Sequence, residues 1–200
     1  MSSENTTDRQ DRLLSMLEQL LELTTSSVSF MLDQAVQQLC EVLGADKVDI
    51  FFYDPTNETL VSLYVSDTPL GRLQRSIGME RLQLANGGSV VETFLSGASS
   101  LNNHADQNPD ELMGIKYGLG VKSHIASIFK VQTQHRGLVL VVSTQPDFFS
   151  LQDLHFIEAI ARWVGTVVGR SEIAERMEQE PAEQRTHMAE ELLTIMVPVS

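Results

Sequence analysis

The segment Leu138-Val139-Leu140-Val141-Val142 is apolar at every position. A strand with one solvent-facing side alternates apolar and polar residues, so an unbroken apolar run predicts a strand that is buried on both faces. In an antiparallel sheet, such a strand needs a layer of structure on each side. The sequence therefore predicts a sheet with a layer packed on each face, and the rest of the chain must supply both layers.

The second half of the chain predicts a hairpin around this segment. Residues Ser123–Val131 and Gly137–Ser143 both have the character of strands. The polar residues between them, including Gln134 and His135, predict the turn. Two strands joined by so short a connection run antiparallel.

The first half of the chain predicts another hairpin. Residues 48–53 alternate with a period of two, which is typical of a strand. Asp54-Pro55-Thr56-Asn57 predicts a turn, because Pro fixes φ and the Asp and Asn side chains bond to the local backbone. Leu60 to Val65 returns as the second strand, so the sheet is predicted to be antiparallel here as well.

Helices at the two ends of the chain are predicted to cover one face of the sheet. From about Arg9 to Leu23 the apolar residues have helical spacing, and a second helix begins near Val28 and ends at Gly44. The last helix opens with Ser150-Leu151-Gln152-Asp153, which resembles a capping box with Asp in place of Glu. Its apolar stripe continues to Val168.

The glycine-rich section 66–122 is predicted to cover the other face. It contains a short predicted strand at Arg81–Leu84, a short predicted helix at Ser89–Leu95 and a loop from Asp106 to Gly118. Long loops within a compact domain are often functional. A candidate ligand pocket is therefore predicted between this section and the sheet.

Composition excludes several classes of function. The net charge is −13, from 27 acidic and 14 basic residues, which disfavours nucleic acids and anionic membranes as partners. The single cysteine, Cys40, cannot form an intramolecular disulfide. No apolar run reaches the roughly 20 residues of a membrane helix. We therefore expect a soluble cytoplasmic protein with no nucleic-acid or membrane partner.

Five short segments, taken in order, resemble the GAF domain family over roughly residues 9–170. The resemblance implies an α+β, GAF/PAS-like fold: a central six-stranded antiparallel sheet, N- and C-terminal helices on one face, and a pocket of loops and short helices on the other. One departure is Ile128-Phe129-Lys130, where many GAF domains have a Val-Pro-Leu-like sequence. The five segments are Ala45-Asp46-Lys47-Val48-Asp49-Ile50, Gly87-Gly88-Ser89-Val90-Val91, Lys122-Ser123-His124-Ile125, Gly137-Leu138-Val139-Leu140, and Asp147-Phe148-Phe149-Ser150-Leu151-Gln152-Asp153-Leu154.

The resemblance implies a regulatory sensor domain and not an enzyme. Such a domain binds a small molecule, dimerises, or does both, to control an attached output domain. The N-terminal sensor part of a bacterial histidine kinase in two-component signalling is the expected setting, and a ligand-free dimerisation module is the alternative. The candidate ligand-binding residues, which could instead simply fill the core, are Phe94, Met113, Tyr117, Ile125, Ser127 and Phe129.

A homodimer through the N- and C-terminal helices is the expected assembly. The first helix has a leucine seam, and the last helix extends past the domain. A bistable pairing of such helices could transmit a signal. The predicted interface residues are Leu13, Leu17, Leu20, Val164 and Val167.

No cofactor is predicted, although an unidentified small ligand is possible. A covalently bound bilin needs a thiol at the pocket, and Cys40 lies on an apolar helical stripe. A GAF-type methionine sulfoxide reductase needs several cysteines for thiol exchange. A haem-binding sensor is a further alternative, with His104 or His124 as the axial ligand, and no other metal site is expected.

The two ends of the chain are assigned separately. Residues 1–8 are predicted to be disordered. The acidic segment 171–200 is predicted to be a signalling-helix or linker extension, and could be the truncated start of a kinase dimerisation helix. Within it, His187 is a candidate phosphoacceptor, although Met188 follows where an acidic residue is usual. We favour the view that any phosphoacceptor histidine lies beyond a boundary near Met196.

Overall fold

The computed structural model describes residues 11, 13–16, 18–20 and 27–179, and for 174–179 it describes the helical backbone alone. The predictions for residues 1–8 and 180–200, including the one for His187, lie outside the described residues. So does the prediction for Leu17.

The sheet has six antiparallel strands in the order β3-β2-β1-β6-β5-β4. This confirms the predicted six-stranded antiparallel sheet. The apolar segment 138–142 lies in β6, one of the two central strands, between β1 and β5. The strands are β1 (Lys47–Asp54), β2 (Thr59–Val65), β3 (Arg81–Gln83), β4 (Ser100–Asn102), β5 (Ser123–Val131) and β6 (Gln134–Ser143).

Helices and loops form the two layers that cover the sheet, as predicted. Residues 11, 13–16 and 18–20 are also helical, and they join α1 and α4 on one face of the sheet. On the other face lie α2, α3 and the loops of residues 66–122, which we call the cover. The helices are α1 (Val28–Leu43), α2 (Pro69–Ser76), α3 (Ser89–Ser96) and α4 (Leu151–Gln179).

Strand β6 contributes to a core on each side of the sheet. Val139 and Val141 belong to the helical-side core, packed against α1 and α4. Leu138, Leu140 and Val142 belong to the cover-side core, packed against α3 and the loops. The prediction of a strand buried on both faces is therefore confirmed.

Local signals set the ends of the terminal helices. Ser27 caps α1 by accepting a hydrogen bond from the Phe30 amide, and Gly44 ends the helix with a left-handed φ of 64°. At the start of α4, Asp153 Oδ2 accepts from the Ser150 amide at 2.8 Å, and Ser150 Oγ accepts from the Asp153 amide at 3.3 Å. This reciprocal pair is the predicted capping box.

Three local features differ from the predictions. Helix α2 was not predicted, although Thr68 caps it and Pro69 occupies its first turn. The three-residue edge strand β4 was also missed. The β5–β6 turn lies at Gln132 and Thr133, and Gln132 has a φ of 57°. Gln134 and His135 are therefore the first residues of β6, directly after the turn.

The residues predicted to form a dimer interface are instead buried within the chain itself. Leu13, Leu20 and Val164 lie in the helical-side core, and Val167 is buried as well. The leucine spacing that suits a helix–helix seam also suits a helix that covers a sheet, and the sheet takes these side chains. The structure thus corrects the assignment of these four residues.

None of the helices in the described part of the chain combines the length and the apolar character needed to cross a lipid bilayer.

Two glycines of α4 allow a test of how closely this helix packs on β5. A Cβ at Gly165 would collide with the Lys130 carbonyl oxygen, whereas one at Gly169 would lie 3.3 Å from a Val131 methyl group. We expect Gly165→Ala to lower the free energy of unfolding by about 1–3 kcal/mol, because α4 must move away from the sheet. Gly169→Ala is the matched control, and we expect it to change stability by less than about 1 kcal/mol. Urea denaturation measures both, and equal effects would contradict this packing.

Candidate functional site

Two buried polar clusters lie between the sheet and its cover. His124 on β5 pairs with Val142 on β6, and Val142 pairs with Lys47 on β1, so all three side chains share one row and one face. Neighbouring strands lie about 4.8 Å apart, which places His124 and Lys47 about 10 Å from each other with Val142 between them. The apolar part of the cover-side core continues along the same face.

The first group, the Lys47 cluster, contains Lys47, Asp49, Ser62 and Gln74. The Lys47 ammonium donates to Asp49 Oδ2 and to Gln74 Oε1. Asp49 Oδ1 accepts from Gln74 Nε2 at 2.8 Å and from Ser62 Oγ at 2.9 Å. Lys47, Asp49 and Gln74 are at most 1% exposed. The buried Lys47–Asp49 ion pair has its hydrogen bonds completed within the cluster. Through Gln74, it joins α2 to the sheet.

The second group, the His124 cluster, contains Ser89, Glu111 and His124. Ser89 Oγ donates to Glu111 Oε2 and lies 2.8 Å from His124 Nε2. A hydroxyl has one proton, so His124 Nε2–H must be the donor to Ser89. The other ring nitrogen, His124 Nδ1, is buried and has no hydrogen-bond partner in the part of the chain that the structure describes.

Glu111 is a buried carboxylate that remains ionised. Burial raises its pKa, but the nearby His124 ring and the hydrogen bond from Ser89 outweigh burial and hold the pKa below its ordinary value of 4.5. Its nearest charged or chargeable partner in the described residues is His124 Nε2, at 3.8 Å from Glu111 Oε2. The two clusters therefore differ, because the Asp49 carboxylate has a buried ammonium beside it.

Gly88 makes room for the Glu111 carboxylate at the start of α3. Gly88 has a φ of 88°, a value that side chains rarely allow. A Cβ at Gly88 would lie 2.8 Å from Leu112 Cγ and 3.1 Å from Glu111 Oε1. The Leu112 amide also donates to Glu111 Oε1 at 3.0 Å. The Gly87-Gly88 pair before α3 thus lets a carboxylate approach the N-terminus of the helix.

The six predicted ligand-binding residues are not brought together. Phe94 lies in the cover-side core, with its ring centroid 4.9 Å from that of Tyr53. Met113 and Tyr117 are 70% and 68% exposed. Ser127 is buried and bonds to the Ser99 hydroxyl at 2.9 Å.

Ile125 and Phe129 are the remaining two, and they lie in the helical-side core. The prediction put them on the opposite face from the one they occupy. Side chains alternate along a strand, and on β5 it is His124, Ala126 and Ile128 that face the cover.

The candidate haem ligands and the cysteine have other contacts. His104 is half-exposed, and its Nε2 lies 3.1 Å from Asp147 Oδ1, whereas His124 belongs to the cluster above. Cys40 is buried, and its thiol donates to the Ala45 carbonyl at 3.0 Å. Burial raises the pKa of the Cys40 thiol. The described residues contain no group of three or more His, Cys, Asp or Glu side chains that could hold a metal ion.

Sequence reasoning missed both clusters as sites. The segments 45–50, 87–91 and 122–125 contain Lys47, Asp49, Ser89 and His124, but the sequence predicts no role for the first three and only a haem-ligand role for His124. Lys47 and Asp49 lie on one face of β1, and Val48 and Ile50 lie on the other. That alternation was a usable signal for buried charge in a central strand.

A model of the GAF domain family matches residues 27–168. The chain belongs to the GAF domain family. No curated protein is detectably similar to it in sequence.

Solved structures show the same fold at low sequence identity. The GAF domain from an Acinetobacter phosphoenolpyruvate-protein phosphotransferase is 18% identical, has a TM-score of 0.67, and the match covers 88% of this chain and 99% of that one. Free methionine-R-sulfoxide reductase from Neisseria meningitidis, in complex with its substrate, is 15% identical with a TM-score of 0.69, over 86% and 95%. The phycoerythrobilin-bound GAF domain of a cyanobacterial phytochrome is 15% identical with a TM-score of 0.66, over 83% and 99%.

The Lys47 cluster predicts a large and non-additive effect of mutation. We expect Lys47→Met to lower the free energy of unfolding by about 3–5 kcal/mol, because it leaves the buried Asp49 carboxylate without its cation. Removing both charges with Lys47→Met/Asp49→Leu should cost less than the sum of the two single changes. Chemical denaturation of the two single variants and the double variant measures this coupling. Additive losses of unfolding free energy would contradict a direct interaction between Lys47 and Asp49.

The lowered pKa of Glu111 predicts a defined pH dependence. A carboxylate with a depressed pKa in the folded state contributes stability above its unfolded pKa and loses that contribution as the pH falls through its folded pKa. The stability difference between wild type and Glu111→Gln should therefore shrink as the pH falls from about 5 to about 3. Glu41→Gln, at an exposed position of α1, is the control. A constant difference over this range would contradict the ionised state of Glu111.

Proposed function

We propose that this chain is a regulatory input domain that binds a small molecule between its sheet and its cover, and that the bound state controls an attached output domain. GAF domains are regulatory sensor domains that bind small molecules. The observation that carries the proposal is the His124 cluster, which places hydrogen-bonding groups, one of them unpartnered, between the sheet and α3. A few convergent polar groups beside apolar side chains are typical of small-molecule sites.

Two of the similar structures show that this fold can hold a ligand. One is described with phycoerythrobilin bound and the other with its substrate. Identity of 15% in both cases shows the fold alone, so the ligand of this chain is a separate question. We propose a cytoplasmic, bacterial setting, with a histidine kinase of two-component signalling as the output.

We further propose that the chain is not itself an enzyme and holds no haem or bilin. The Neisseria protein is a reductase, but the single cysteine here is buried on the helical side with its thiol donating to a backbone carbonyl. Thiol exchange needs an accessible thiolate. His124 Nε2 is engaged by Ser89, which argues against a haem ligand at this position.

Homodimerisation through the terminal helices remains part of the proposal, with different residues. The four core residues corrected above offer no surface to a partner. Exposed apolar side chains do occur on the N-terminal helical residues, on α1 and on α4: Leu14 at 58%, Phe30 at 49% and Ile173 at 53%. We propose that an interface uses this outer surface.

A thermal-shift screen with a panel of metabolites tests ligand binding. A ligand that binds only the folded state raises the apparent Tm. We expect such a rise for wild type and for Ser96→Ala, a control at an exposed position of α3, and a much smaller one for Ser89→Ala. No hit in a broad panel would favour the alternative, a ligand-free dimerisation module.

Two further measurements test the other parts of the proposal. Light scattering should show a dimer, and a monomer at high concentration would remove helix pairing from the mechanism. An absorption spectrum of the purified protein should show no band beyond the aromatic region. A Soret or bilin band would overturn the proposal that no such cofactor is held.

A further inference from the structure

The Glu111 carboxylate occupies a place that is built to attract an anion. The Ser89 hydroxyl donates to Glu111, and His124 Nε2–H lies behind Ser89 in the same chain of donors. The carboxylate also lies against Gly88, the N-cap of α3, and no side chain within that helix caps its N-terminus. The first turn of a helix presents free amide groups and the positive end of the dipole.

The donors and the acceptor belong to different kinds of structure. Ser89 lies on α3 and His124 on β5, which are regular elements packed in the core. Glu111 lies in the irregular segment between the 3₁₀ turn at 105–107 and the π-helical turn at 114–118. Its amide bonds only within that segment, to the Asn108 carbonyl at 3.3 Å, and Asp110 beside it is exposed. The segment can withdraw Glu111 without breaking a strand pairing.

Two observations indicate that this place is not completed by Glu111. The buried Glu111 carboxylate has no lysine or arginine partner among the described residues, unlike Asp49. The departure of Glu111 would therefore leave no buried lysine or arginine without its partner, which is the cost that holds Asp49 in place. In addition, the fully buried His124 has a ring nitrogen, Nδ1, that no group in the described residues uses. A buried polar atom without a partner is unusual in a native structure. With the proton on Nε2, Nδ1 is an acceptor, so it could bind a donor group of a ligand and not the ligand's carboxylate.

We propose that Ser89, His124 and the N-terminus of α3 form a carboxylate-binding subsite, that Glu111 occupies it from within the chain, and that the carboxylate of a small ligand takes its place. The exchange replaces one carboxylate by another and leaves the donors where they are. It releases the segment around Glu111 from the sheet, which couples ligand binding to the shape of the cover. This inference rests on the proposed sensor function and names the chemical class of its ligand.

Chemical rescue tests the subsite directly in the full-length chain. Glu111→Ala removes a two-carbon carboxylate, and acetate is the same fragment in solution. We expect acetate to raise the apparent Tm of Glu111→Ala by about 2–4 °C at about five times its Kd, compared with sodium chloride at equal ionic strength. We expect no such rise in wild type, because Glu111 already fills the site.

Matched controls separate the subsite from general effects of salt. The double variant Glu111→Ala/Ser89→Ala should lose the rescue, whereas Glu111→Ala/Ser96→Ala should keep it. Acetamide, a neutral analogue of acetate, should not rescue. Inorganic phosphate should rescue less than acetate, because the present occupant is a planar carboxylate. Rescue that is absent in Glu111→Ala, or equal in wild type or in the Ser89 double variant, would overturn the proposal.

A second variant covers the case in which Glu111→Ala fails to fold. Glu111→Gln keeps the shape of the side chain and removes its charge, so acetate should still displace it. Broadening of the ¹³C-acetate NMR signal by Glu111→Gln, and not by wild type, is the expected result, and equal signals would overturn the subsite. A metabolite hit without acetate rescue would refute this subsite and keep the sensor function. Acetate rescue without any metabolite hit would keep the subsite and refute the sensor function.

Discussion

The rest of the structure depends on strand β6 being buried on both of its faces. Val139 and Val141 must be covered from one side, and Leu138, Leu140 and Val142 from the other. The terminal helices meet the first requirement, so their leucines and valines are used within the chain. Residues 66–122 meet the second, although apart from two three-residue edge strands they contain two short helices and much irregular backbone. The need for a cover thus brings loops, and the polar side chains that loops contain, against the centre of a sheet.

This arrangement puts buried charge where an apolar layer would be simpler. Lys47 and Asp49 face the cover from β1, and His124 faces it from β5, on either side of Val142. Burying such groups costs free energy unless their hydrogen bonds are complete. In the Lys47 cluster they are complete, and Gln74 uses them to hold α2 on the sheet. In the His124 cluster they are not, because His124 Nδ1 has no partner in the described part of the chain.

The sequence was a good guide to the fold and a poor one to the site. The two-faced strand, the end of α1 at Gly44, and the capping box at Ser150 are local signals, and the structure confirms them. The face that each side chain of β5 occupies cannot be predicted from local sequence, because both faces of this strand carry apolar residues. Only the pairing with β6 decides that Ile125 points to the helices and Ala126 to the cover. The burial of Glu111 was beyond sequence reasoning, since it lies in a segment without periodicity.

The two buried carboxylates divide the cover into a fixed part and a part that can respond. Asp49 has an ammonium, an amide and a hydroxyl around it, all on regular elements, so moving any one of them leaves a buried charge unpaired. Glu111 is held by the Ser89 hydroxyl and a backbone amide, and it comes from a loop. A switch needs two states of similar free energy that a ligand can distinguish. The fully paired Lys47 cluster resists such a change. The His124 cluster permits it, because its donors remain in place for whichever carboxylate occupies the site.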